Sequence, residues 1–468
     1  MTQKPIKTCT TILAGKDATI DGSTMIARNE DGGEQSNPQR FVVVQPEDQP
    51  KTYQSKISGV KIELPDHPLR YTSTPDFDQG QGIWGGSGIN EENIAMTACE
   101  TITSNAMTHA IDPLVKGGIG EEDMLTIVLP YIHSAEEGVL RLGQLLEQYG
   151  TYELNGIAFS DKDSVWYLET IGGHHWVAVR IPDDSYVVAP NRFNIDDFDF
   201  ESEDTHCSDD LKALIERYHL NPDHNRVNLR HIFGSDTVKD TLYNNARTWY
   251  GQRYFNQDNT VDDPEYSDFP FIRRADFKIS VADIKFVLSS HYQNTPYDMY
   301  DFDSEGQGKY RPIGINRNQE VHVLQIRNDV SDAVAGIHWL AFGPNTFNAL
   351  VPFYANVNDT PAAFKDTTTT YSPNHAYWLS RTLSTISDAN YSSYLDIRDH
   401  YEDDLTSQCL RVQMDTDDQI DKQTDVEKYL EQQNQQMADI YMKRSTEALG
   451  ALVEKGMYLM HLRYNLDD

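Results

Sequence analysis

Two short stretches near the start of the chain read as strands separated by turn residues. Cys9 to Leu13 is rich in β-branched residues, and Ser23 to Ala27 is again extended. Gly15 to Ala18 turns between them, and Asp21-Gly22 is a second turn signal. Phe41 to Val44 reads as a further strand. Over 94–99 the period is two: Ile94, Met96 and Ala98 alternate with Ala95, Thr97 and Cys99. The period turns helical over 120–149. There Asp123 precedes Met124, Ile127, Val128 and Tyr131, and Val139, Leu142, Leu145 and Leu146 follow at helical spacing. Residues 155–191 read as an antiparallel meander with strands at 156–159, 164–170, 175–181 and 186–189. Acidic loops alternate with helices at 209–218 and 237–250. Strands return at 321–326 and 337–342. From about 373 the pattern is helical, ending in a helix over roughly 424–460. No repeat of 20–50 residues is evident, and no Pro/Ser-rich linker divides the chain. The pattern predicts one large α+β domain with acidic insertions and a helical C-terminal part.

Composition narrows the function. The chain has 468 residues, 38% of them hydrophobic and 10% aromatic, enough for a large core and against disorder. The net charge is −34. A field of that sign repels phosphate backbones and anionic membranes, so neither nucleic acid nor a membrane is an expected partner. Cysteines stand at 9, 99, 207 and 409, with no CxxC and no zinc-cage spacing. Residues 1–8 lack the apolar core of a secretory signal, and no apolar run approaches the ~20 residues of a membrane span. The expected setting is a reducing cytoplasm.

Two motif matches fail on context. Gly80 to Gly85 fits GxGxxG, but Pro75 and acidic residues precede it and a further glycine run follows, where a strand and a helix are required. His174-His175 could suggest a metal site, but adjacent residues of a strand point to opposite faces. No metal is expected. HExxH, GxSxG and Walker A patterns are absent.

The informative chemistry lies in Cys9-Thr10-Thr11 and Arg28-Asn29-Glu30-Asp31. A cysteine is a useful nucleophile as thiolate, which needs a nearby base or a positive field. If the Thr8–Cys9 bond is cut, the new α-amine supplies that base, with an intrinsic pKa of about 7.7–8.0. Nucleophile and base then share one residue. Arg28 is a permanent cation beside the sulfur, and Asp31 can accept hydrogen bonds from the amine. A hairpin returning from Cys9 brings residues about 18–22 later back alongside it. The bland alternative is a small buried cysteine and an ordinary surface charge pair.

The segment CTTILAGKDATIDGSTMIARNED resembles the start of the cysteine-nucleophile dipeptidases, the dipeptidase A type of lactic acid bacteria. Further stretches fit: Gly88 to Glu91 with Thr97 to Thr101, Gly173 to Arg180 with Ala189-Pro190-Asn191, and Glu320 to His322 with Gln325 to Arg327 and Trp339. The resemblance covers most of the chain. It implies the four-layer αββα fold of the N-terminal-nucleophile hydrolases, cysteine-dependent hydrolysis of dipeptides, and no cofactor. It also implies a propeptide, residues 1–8, removed by attack of Cys9 on the Thr8 carbonyl, leaving 9–468 as the mature chain. Cys9 matches the nucleophile, and Arg28 and Asp31 the pair that braces it. Asn191 matches an asparagine that lends its side-chain amide to the oxyanion hole. Glu100 falls where the related acylases carry an oxyanion-hole residue. An ionised carboxylate cannot donate there, so the expectation is that Glu100 binds the dipeptide's free ammonium. Cys99 is assigned no role. A later arginine of the acylases touches the site, and Arg230, Arg273 and Arg311 are the candidates here. The expected partners are dipeptide substrates and further copies of the chain. Two alternatives stay open: an acyl-amide hydrolase of the penicillin V acylase type, and a non-catalytic regulator similar to the secernins.

Overall fold

Asp21-Gly22 turns the chain as its residue types require. Gly22 has φ +75°, and Asp21 Oδ1 accepts from Ser23 N at 3.2 Å and Ser23 Oγ at 2.6 Å. The flanking strands, Thr8–Ala14 and Thr24–Asp31, pair antiparallel, with Thr8 opposite Asp31, Cys9 opposite Glu30 and Thr11 opposite Arg28. The second strand outruns the expected end at Ala27. Arg-Asn-Glu-Asp has little strand propensity, but the strand Asn318–Ile326 pairs along its other edge and carries it on. The computed structural model describes residues 8–33, 37–258 and 261–462, without the side chains of Cys99 and Glu100. All but Thr8 of the expected propeptide lies outside the described residues.

The hairpin is the middle of a seven-stranded sheet. Its order is Ile272–Arg273, Tyr186–Ala189, Thr8–Ala14, Thr24–Asp31, Asn318–Ile326, Gly336–Phe342, Val351–Tyr354. A six-stranded sheet runs Thr205–Cys207, Trp176–Ile181, Val165–Thr170, Asn155–Ser160, Ala95–Thr101, Ser87–Ile89. The expected meander therefore breaks after its third strand. Tyr186–Ala189 crosses to the seven-stranded sheet and pairs with Thr8–Ala14, Thr11 facing Ala189. The reason is the 182–185 turn. The Asp183 carbonyl accepts from the Asp17 and Ala18 amides, and the Ser185 carbonyl from Gly15, so the turn is tied to the first sheet. This crossover carries Asn191 to Cys9.

Leu13, Ile26 and Leu324 of one sheet share a core with Ala158, Tyr167 and Val177 of the other. Ile12, Ala27 and Val323 face the opposite way. They meet a core that includes Trp249 of helix Val238–Phe255, Val287 of Val281–Leu288, and Leu383, Leu405 and Tyr441 of the long C-terminal helices. Met96, Phe159 and Leu168, on the outer face of the six-stranded sheet, pack with Met124 and Leu142 of helices Glu121–Val128 and Ala135–Tyr149. Pro130 sits in the short turn that separates those two helices within the stretch read as helical. The C-terminal helices are Ala376–Asp388, Tyr391–Asp417 and Val426–Met457. Among the described residues no helix is long and apolar enough to cross a membrane.

Gly80 to Gly85 forms a short 3-10 turn and an irregular stretch, with Gly82 and Trp84 at positive φ, leading into Ser87–Ile89, with no helix directly after it. His174 and His175 differ from expectation: they lie before the strand Trp176–Ile181, and both approach Asp112. The His175 ring bridges Asp112 Oδ2 at 2.8 Å and Asp210 Oδ1 at 3.1 Å.

Candidate active site

Cys9 is fully buried in the central hairpin. Pairing puts Arg28 two residues off register from it, and the long side chain covers the gap. Arg28 Nη1 lies 3.3 Å from Cys9 Sγ. The guanidinium also donates to Glu30 Oε2 at 3.2 Å and the Gly86 carbonyl at 3.2 Å, with Glu121 Oε1 at 3.5 Å. Gly86 has φ +65°, and a Cβ there would stand 2.9 Å from Glu30 Oε2 and 2.6 Å from Thr74 Oγ1, so only glycine lets the chain pass this close. Burial works against the Arg28 charge. Cys9, Glu30, Glu121 and Glu320 outweigh it and hold the guanidinium above its ordinary pKa. Behind them His322 joins Glu320 Oε1 and Thr97 Oγ1, each at 2.8 Å. Burial and the Arg28 charge push its pKa far down, so this histidine is neutral.

Asn191 sits beside Cys9 because the strand that precedes it continues the pairing with Thr8–Ala14. Its Oδ1 accepts from Cys9 N at 3.2 Å, and its Nδ2 donates to the Thr101 carbonyl at 2.9 Å. Arg247 Nη2 also donates to Asn191 Oδ1, at 2.9 Å. Two donors on one atom fix which end of the amide is oxygen.

Arg247 is the residue missed in the sequence. It is fully buried, and its Nη1 donates to the Cys9 carbonyl and, at 3.0 Å, to Thr10 Oγ1. It also donates to Asn244 Oδ1 one turn earlier on the same helix. The available signal was polar text on a core-facing stripe: Asn244, Asn245 and Arg247 beside Ala246, Trp249 and Tyr250.

Of the three candidate arginines, Arg311 reaches the site. Its Nη2 donates to Asp31 Oδ2 and, at 3.3 Å, to Thr8 Oγ1. Asn318 Nδ2 is 3.3 Å from the other Asp31 oxygen. Burial pushes the Asp31 carboxyl up, against Arg311, Arg247 and Arg317. Burial opposes the Arg311 charge, but Asp31 and Tyr243 outweigh it. For Tyr243, burial is outweighed by Arg311 and Arg247, which bring the hydroxyl below its ordinary pKa. Arg230 instead holds the carbonyls of Asn194, Ser267 and Phe269, and Arg273 donates to Gln252. The side chain of Glu100 lies outside the described residues. With Thr8 still joined to Cys9, the atom that receives the Cys9 N–H is Asn191 Oδ1, while Asp31 receives Arg311 and Asn318.

The arrangement puts a cation on the sulfur and a hydrogen-bond acceptor on the nitrogen of one residue. Among the described residues no group of three or more His, Cys, Asp or Glu could hold a metal ion. The family model described as "Peptidase family C69" matches residues 8–404. The chain is 53% identical to "Dipeptidase A" of Lactobacillus helveticus, over 98% of this chain and 99% of that one. It is also 53% identical to "Probable dipeptidase B" of Lactococcus lactis subsp. lactis (strain IL1403), over 98% of each. Identity to "Dipeptidase" of Bifidobacterium longum (strain NCC 2705) is 46%, over 88% of this chain and 83% of that one.

Proposed function

Because the chain belongs to peptidase family C69, and is a peptide hydrolase, we propose that it is a cysteine-dependent dipeptidase whose nucleophile and base are the sulfur and α-amine of Cys9. One observation carries this reading: Arg28 Nη1 stands 3.3 Å from the sulfur of the same residue whose nitrogen is held by Asn191. The two stacked sheets with helices on their outer faces support the αββα architecture of the N-terminal-nucleophile hydrolases.

Maturation begins with attack of Cys9 Sγ on the Thr8 carbonyl carbon. The C–N bond breaks, the acyl group moves to sulfur, and the nitrogen becomes the free amine. Water then hydrolyses the thioester and releases residues 1–8. In turnover the amine takes the thiol proton as sulfur attacks the scissile carbonyl. The second amide hydrogen of Asn191 and a backbone N–H receive the oxyanion, a donor pair in which one member is worth about 3–4 kcal/mol. The amine hands its proton to the departing amino acid, and water opens the new thioester. Arg28 stabilises the sulfur's negative charge. Arg247 holds Asn191 with its oxygen toward the amine, and its own charge favours the amine's neutral form. Asp31, tied to Arg311, keeps the end of the second strand in place opposite the scissile bond.

Mass spectrometry of active enzyme is expected to show loss of the first eight residues. Alanyl-leucine is expected to be cleaved in preference to penicillin V or a conjugated bile salt, with activity lost to a thiol reagent. Cys9→Ala is expected to retain residues 1–8 and no activity. Full activity with Met1 attached contradicts the amine as base.

A further inference from the structure

A dipeptidase must recognise a free ammonium one residue before the scissile bond. Resting on the dipeptidase reading above, we propose that Glu121 receives the α-ammonium of the substrate's first residue and so restricts the enzyme to unblocked peptides. Arg28 Nη1 is shared between Cys9 Sγ at 3.3 Å and Glu121 Oε1 at 3.5 Å. The sulfur and that oxygen are therefore within about 7 Å of each other, joined through a single donor.

A reacting dipeptide spans this distance. Its α-nitrogen is about 2.5 Å from the carbonyl carbon. The carbon must come within about 3–3.5 Å of the sulfur. A charge-assisted N–H···O bond adds about 2.7–2.9 Å. The recognising oxygen thus belongs roughly 5–8 Å from the sulfur.

Three other carboxylates stand near the sulfur, and they lie deeper or bind a different arginine. Glu30 holds Arg28 Nη2 and Gln39 Nε2, with its side chain 1% exposed. Glu320 takes the His322 ring and is 0% exposed. Asp31 is tied to Arg311. Glu121 is 5% exposed, and its contact with Arg28 is at the outer limit of a hydrogen bond. It opens the helix Glu121–Val128, where the helix end favours a negative charge.

The test compares kcat/KM of the matured enzyme on alanyl-leucine and on N-acetyl-alanyl-leucine. The wild type is expected to prefer the free dipeptide by about 100-fold. Glu121→Gln is expected to lose most of that preference through KM, yet still to shed residues 1–8, because the Thr8 nitrogen is an uncharged peptide nitrogen. A wild type indifferent to acetylation, or a Glu121→Gln enzyme that keeps the preference, overturns the proposal. So does a preference lost in Glu100→Gln and kept in Glu121→Gln. If Glu121→Gln does not mature, Glu121→Asp decides: a raised KM for alanyl-leucine supports the proposal and an unchanged one overturns it. A wild type that cleaves neither peptide overturns the dipeptidase reading first, and this inference with it.

Discussion

Glu121 and its neighbours Glu122 and Asp123 begin the same helix, yet they face two chemically different interiors. Glu121 turns to Arg28 beside Cys9, where Arg28 also meets Glu30 and where Arg247 and Arg311 lie close by. Glu122 and Asp123 turn to hydroxyl groups. Glu122 accepts from Ser55 Oγ at 3.0 Å and from the Tyr152 hydroxyl, and Asp123 accepts from the Tyr53 hydroxyl at 2.7 Å. Burial, together with the charge of Asp123, raises Glu122 to about 7, and burial raises Asp123 to about 6. One interior is built on arginine-paired charges. The other is built on carboxyls that burial among hydroxyls pushes up. The same short helix thus buries its acids against guanidinium groups on one side and against hydroxyls on the other.

The sharpest way to break the comparison is to remove the cation. Arg28→Met leaves Glu30 and Glu121 buried without it, and is expected to cost about 3–5 kcal/mol of stability along with all activity. A urea midpoint equal to wild type would show that the glutamates do not depend on Arg28.

A smaller effect is expected in the hydroxyl-lined interior. A raised carboxyl stabilises the fold while protonated and loses that contribution as pH rises through its folded pKa. For Glu122 the window runs from 4.5 to about 7, and for Asp123 from 3.8 to about 6. The double variant Glu122→Gln/Asp123→Asn keeps the shapes and removes the titration. The drop in unfolding free energy between pH 4.5 and 8 is expected to shrink by something on the order of 3 kcal/mol. An unchanged pH profile would place the protons elsewhere.

The smallest effect has the opposite sign. His338, between Thr72 Oγ1 and Ser87 Oγ at 3.2 Å each, is pushed well below its ordinary pKa by burial and by His322. The unfolded chain gains a proton there as pH falls below 6.5, and the folded chain does not. Stability should therefore fall on the acid side, and His338→Gln should make that fall shallower. An acid limb as steep as wild type in a urea series would exclude His338 as a contributor.

Part of the site was legible without coordinates. Cys9, Arg28 and Asp31 come together through one local hairpin, and a turn signal with strands on either side of it is enough to bring them alongside. Asn191 was legible only through a family resemblance. The text at 186–189 reads as a fourth meander strand, and nothing in its alternation says that it changes sheets. Arg247 lies 238 residues from the carbonyl it holds, on a helix whose polar interruptions have no local explanation. Arg311 was one of three arginines that no periodicity could rank.

By itself the chain's pattern determined which faces are buried, where the first hairpin turns and which cysteine is brought alongside an arginine. These are local properties, set by side-chain period and by the backbone preferences of a few turn residues. Only tertiary structure decided which arginine met which carboxylate, and which acids burial pushes up. A buried polar group must be satisfied by whatever folds against it, and those partners arrive from strands and helices that are distant along the chain.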